Sequence, residues 1–314
     1  MKCRLLFIII RKKRAIFLYC TSCSKPYLLP CQLIYGTNRN NMQNPSSKKP
    51  TAGYSHPWQY FLLVYALSAP FWLLSLFLKH SPLPDNLPLT DIGAALTPTV
   101  AAALLRYREG GMAAVRGLFG RVFDYGRIKH SAYFWTAILI FPLLYLLTYV
   151  AIRQTGQTIP ALSVSFAPLA GAFVMFFIAA VAEELGYAAY ATESLQRRFT
   201  PLVTALIIGV PWALWHLPSM IAVGQSAELI AWGLAGTVAV RVIYIWLYNG
   251  SGGSVFVLIA CHTVANTART GFPGGRAVYE NGNGMIPYGI IIIAAVIVMV
   301  FWCKAMCSSD SQQA

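Results

Sequence analysis

Charge is what this sequence has least of. Only 11% of its 314 residues are charged, and Asp and Glu together number 10. A soluble domain carries roughly a quarter charged residues, so that class is excluded. Histidine is scarcer still, at five. The seven cysteines build no framework: Cys20 and Cys23 form a C-x-x-C flanked by Cys3 and Cys31, but no histidine pair or second C-x-x-C follows at zinc-finger spacing. Cys261, Cys303 and Cys307 lie in or beside apolar stretches, where a thiol packs as a small hydrophobe. An internal repeat and an H-E-x-x-H zinc motif are also missing, and no small-residue cleavage site follows an apolar core of adequate length near residue 10. The net charge of +14 comes without a basic stripe and interleaved aromatics, which removes nucleic acid as a partner.

What the sequence has instead is apolar length. Hydrophobic residues make up 57% of the chain and gather in eight stretches, about 58–78, 88–105, 132–152, 166–192, 201–220, 227–248, 253–269 and 285–303. Each is near the ~20 residues a bilayer-crossing helix needs, the seventh being short. The pattern predicts an all-α polytopic membrane bundle of about eight transmembrane helices. Arg106, Arg108, Arg116, Arg121, Arg127 and Lys129 share one loop, Arg197 and Arg198 follow the fourth stretch, Lys48 and Lys49 precede the first, and Lys304 follows the last. With eight crossings these cations fall on one side, which the positive-inside rule makes cytoplasmic, and both termini with it. Arg153, Arg269 and Arg276 are the minority on the other face.

The expected organisation is a membrane domain over 57–304, a polar cytoplasmic tail over 42–56 and a polar C-terminal tail over 305–314. Residues 1–41 read as an extension. Leu5–Ile10 is too short to span, the Arg11–Arg14 block is basic, and Met42 opens a polar MQNPSSKKP that suits a chain start. The alternative is a basic interfacial arm. If Met42 is the start, a chain lacking 1–41 is expected to insert and act as the full chain does; a failure of membrane assembly on that deletion refutes the reading.

Against this apolar background three polar signatures stand out. They are Glu183-Glu184, Trp212-x-x-x-His216 and His262-x-x-x-Asn266. An ionisable group at mid-bilayer costs at least ~2.5–3.5 kcal/mol, so such groups face a bundle interior and carry function by default. Glu183 and Glu184 are ~100° apart on a helix, Glu183 sharing a face with Tyr187 and Glu184 with Ala188. Two adjacent carboxylates in a low dielectric resist joint ionisation, which leaves one able to hold and pass a proton. Trp212 and His216 share a face, so the indole can wall the imidazole, and His262 and Asn266 share another, a carboxamide suiting an oxyanion site. Each signal has a structural alternative: a solvated helix end, a hydrogen-bonded interior histidine, an interhelical Asn–His bond.

Taken together, their order and types resemble the CAAX prenyl protease and bacteriocin-processing (CPBP, or Abi) family. This family includes the type II CAAX prenyl endopeptidases and is marked by EExxxR, FxxxH and HxxxN. The matching text is EELGY, WALWHLP and WLYNGSGGSVFVLIACHTVANT, within a core of about 165–270. Trp212 stands for the family Phe, and Ala188 stands where the family has Arg. The sixth stretch supplies a mid-span Arg241, and only Glu183 and Glu184 lie deep enough to pair with it. This predicts that Arg241 points toward Glu184 and replaces the missing cation.

The resemblance implies an intramembrane endopeptidase in the cell (inner or plasma) membrane of a bacterium, acting on a peptide or membrane-associated protein amid lipid. Glu183 with His216 would activate water, Glu184 would support Glu183, and His262 and Asn266 would stabilise the oxyanion. No cofactor is expected, although Glu183, His216 and His262 are a possible three-ligand zinc set. Two other classes stay open: an inactive immunity or scaffold protein, which Ala188 favours, and a transporter, which the absence of an inverted repeat disfavours. Depth is a further constraint. His216 sits some ~6 Å from the level of Glu183, a gap that tilt or a break at Pro211 would close.

Overall fold

The computed structural model describes residues 5–6, 19–20, 56–75, 77–78, 90–162, 166–275, 278 and 283–311. Most of the 1–41 extension, the expected start at Met42, and Arg276 lie outside the described residues. Apart from a two-residue antiparallel pairing of Leu5–Leu6 with Tyr19–Cys20, the described elements are helical. Among the described residues, eight long helices stand in the order the hydrophobic stretches predict. They are α1 (Pro57–Ser75), α2 (Thr90–Phe119), α3 (Ser131–Gln154), α4 (from Phe166), α5 (Pro201–Ala222), α6 (Ala227–Ser251), α7 (Val255–Thr270) and α8 (Met285–Ser311).

Five of them, α3, α4, α5, α6 and α8, are long and apolar enough to cross a membrane. The short seventh stretch is a 16-residue helix that carries Thr263, Thr267 and Arg269 beside His262 and Asn266. It is enclosed by α3, α4 and α6, so polar cargo here meets protein. α5 packs along α6, α8 along α6, α1 along α2, and α2 against α4. Cys261 is a buried free thiol in α7.

Two local departures from the sequence reading bear on the site. The second stretch does not stop near residue 105. Its helix continues to Phe119 across a kink at Gly110–Gly111, where Gly111 has φ 64°. The polar loop is therefore largely helical, followed by 3-10 turns at Gly120–Phe123 and Tyr125–Arg127. The fourth stretch is not a regular α-helix either. α4 is α-helical to Glu184, then π-helical over Leu185–Thr192, then α-helical again through Leu195. Such wide turns are rare and mark functional sites more often than chance.

Orientation is an expectation that follows from the cation bias alone. Reporter fusions in the 106–130 region and after Lys304 are both expected to read cytoplasmic. Opposite readings from the two would require an odd number of crossings and would break the eight-helix arrangement.

Candidate active site

The site grows from the change of pitch in α4. Glu183 and Glu184 are the last two residues before the π-helical segment. Widening the helix leaves carbonyls without their usual i+4 donors, and Thr99 of α2 donates its hydroxyl to the Ala182 carbonyl at 2.6 Å. Gly186 makes that approach possible, because a Cβ there would collide with the Tyr60 hydroxyl and the Pro98 carbonyl. The glutamates thus sit where α1 and α2 press against α4. Both are buried, Glu184 completely.

Their surroundings differ. Arg241 of α6 forks onto Glu184, with Nη1 donating to Oε2 at 2.9 Å and Nη2 to Oε1 at 3.2 Å. His262 Nδ1 lies 3.1 Å from Glu184 Oε1. The pairing of Arg241 with Glu184 is therefore present as geometry, and neither side chain has any exposed surface. The guanidinium is also caged by aromatic faces, 4.1 Å from the Trp212 centroid and 5.3 Å from those of Tyr187 and Tyr244. Such contacts are worth ~2 kcal/mol or more once desolvated. Arg241 Nε has no hydrogen-bond partner among the described residues, so the fork and the ring faces carry the cation.

Glu183 has a neutral neighbour instead. Trp212 donates its indole N–H to Glu183 Oε2 at 2.8 Å. The same ring lies 5.4 Å from His216 and 5.9 Å from His262, edge-on to both. α5 runs through Pro211 and Pro218 without a break. Trp212 thus touches both Glu183 and His216. Sequence reading gave this indole a wall's role and missed its N–H. It also missed Tyr187 and Tyr244 around Arg241, although Tyr244 follows Arg241 by one helical turn.

His216 and Asn266 lie at the more open edge, both half-buried, while Glu184 and Arg241 close the other edge. The Asn266 carboxamide has no hydrogen-bond partner among the described residues. For a metal, the described residues contain no group of three or more His, Cys, Asp or Glu side chains placed to hold one. Glu183, His216 and His262 do not form that set as they stand.

Residues 164–268 match the family described as Type II CAAX prenyl endopeptidase Rce1-like. The matched segment runs from α4 into α7 and contains the glutamates, Trp212, His216, Arg241, His262 and Asn266. The chain is also similar to CAAX prenyl protease 2 of Methanococcus maripaludis, 23% identical over 229 residues, covering 67% of this chain and 83% of the relative. At the level of the family, these matches and the apolar helices support a multi-pass membrane endopeptidase with a peptide substrate.

Proposed function

We propose that this chain hydrolyses peptide bonds within the membrane, using Glu183 as the base that activates water. The observation that carries the reading is the convergence of all three motifs on the glutamate pair. Trp212 reaches Glu183, His262 reaches Glu184, and His216 and Asn266 stand beside them on the same two helices.

The two carboxylates divide the work because their partners differ. Glu184 is committed to Arg241 and His262, so its role is to orient. Glu183 keeps a single neutral donor and is left to exchange a proton with water, His216 assisting. With His262 Nδ1–H given to Glu184, Nε2 is the ring atom left for substrate. In its protonated form it donates to the oxyanion together with the Asn266 amide. No step passes through a metal. Ala188 was the sequence's argument for an inactive member, and a cation that reaches Glu184 from α6 supports activity instead.

A prenylated peptide is the first substrate to try, from the name of the Methanococcus maripaludis relative, CAAX prenyl protease 2. Purified protein is expected to cleave members of a peptide library offered with and without a prenyl group, and Glu183→Ala to cleave none. Equal cleavage by the two proteins sinks the reading. Asn266→Ala is expected to lower turnover by about 10²–10³-fold, the usual loss for one oxyanion donor. An undiminished rate removes Asn266 from the site.

A further inference from the structure

A second polar cluster lies apart from the glutamates, and the mechanism above does not use it. Its centre is Arg121, in the 3-10 turn after α2 and only 5% exposed. Arg121 Nε donates to Asp124 Oδ2 at 2.6 Å, Nη1 pairs with Glu193, and Nη2 donates to the Gly253 carbonyl at 2.6 Å. The Tyr248 hydroxyl donates to Glu193 Oε1 at 3.2 Å. Asp124 in turn accepts from the Ser254 hydroxyl at 2.8 Å and from the backbone N–H of Val255 and Phe256 at 3.2 and 3.0 Å. It therefore caps α7 from another part of the chain, satisfying N–H groups that a helix start leaves open. The α6–α7 turn it grips runs through Gly252 and Gly253, with φ 93° and 83°, a backbone that side chains rarely adopt. Burial opposes the Arg121 charge, but Glu193, Tyr248 and Asp124 outweigh it and hold the guanidinium pKa above its ordinary range.

The three elements that meet on Arg121 are the three that meet on Glu184. α4 contributes Glu184 to one cluster and Glu193, at the end of its widened segment, to the other. α6 contributes Arg241 and, seven residues on, Tyr248. α7 contributes His262 and, seven residues back, Val255. Seven helical residues are about 10 Å, so the same helices are pinned twice, about two turns apart. Two pins fix the rotation and the slide of a helix where one leaves both free.

We propose that Arg121 is a positioning residue for the reaction. It locks the α6–α7 turn to the end of α4 and so sets how closely His262 and Arg241 approach Glu184. The proposal rests on the proteolytic reading for its kinetic consequence, but its geometric consequence stands by itself.

Both are measurable on the full chain. Arg121→Ala is expected to lower kcat by about 10²-fold with little change in KM, as a small misplacement by a distant residue does. The chain has five histidines, so the ring nitrogens of ¹⁵N-histidine protein can be followed, with His262 assigned through His262→Gln. The His262 Nδ1 signal is expected to move in Arg121→Ala, and Arg121→Lys to recover part of both the signal and kcat. Glu193→Gln, which removes one anchor only, replaces Arg121→Ala if that protein does not fold. A displaced His262 signal in a preparation where even wild type cleaves no peptide upholds the latch and ends the protease reading. An unmoved His262 signal overturns the proposal, whether activity is retained or falls only in step with the yield of folded protein.

Discussion

Glu183→Gln is expected to reduce peptide turnover by about 10²–10⁴-fold while the protein stays folded. The substitution keeps size and a hydrogen-bond acceptor for the Trp212 indole, which donates to Glu183 at 2.8 Å. It removes the ability to take a proton from water. Because Glu183 is not the partner of Arg241, no buried cation is stranded by the change. The effect should therefore fall on kcat and leave thermal stability nearly untouched. Glu184→Gln is the contrast, since it strips a buried guanidinium of its counter-charge and should lower stability as well. Full turnover by Glu183→Gln is the result that ends the mechanism.

Arg241→Ala carries the largest expected loss of stability. Breaking a buried ion pair from one side typically costs ~3–5 kcal/mol, because the remaining charge keeps its desolvation penalty. Here the remaining charge is Glu184, fully buried, with His262 as its other polar contact. The cavity left among Tyr187, Trp212 and Tyr244 adds to the loss. Ala188→Arg in the Arg241→Ala background is expected to restore part of the stability, by returning a cation to the fourth helix near Glu184. Thermal unfolding in detergent measures both. An Arg241→Ala protein that melts with wild type means that the pair contributes nothing, and failure of the second-site arginine to help means that position 188 does not look onto Glu184.

Much of this was legible in the sequence, because the bilayer makes polar residues conspicuous. Arg241 and Glu184 could be paired on paper since a deep guanidinium has few partners to choose from. The number and order of the helices followed from apolar length, and the kink beyond residue 105 escaped because α2 continues as a helix after its apolar stretch has ended. The π-helical segment escaped for a different reason. LGYAAYAT carries no pattern that distinguishes it from an α-helix, and its wide turns depend on tertiary contacts such as Thr99 with Ala182. The indole N–H of Trp212 and the latch around Arg121 are of the same kind. Arg121 reads as one more loop cation until the turn at Gly252–Gly253 is brought against it.

The origin of the two charges on separate helices also has a consequence in time. Glu184 and Arg241 are 57 residues apart in the chain. At about 5–20 residues per second of synthesis, the carboxylate leaves the ribosome roughly 3–11 s before its cation. A helix carrying both charges would deliver them to the membrane together. α4 must wait, holding an acid for which no permanent partner has yet been made, and α6 is the helix that ends the wait. The insertion machinery, or a proton borrowed from water, has to shelter Glu184 until then.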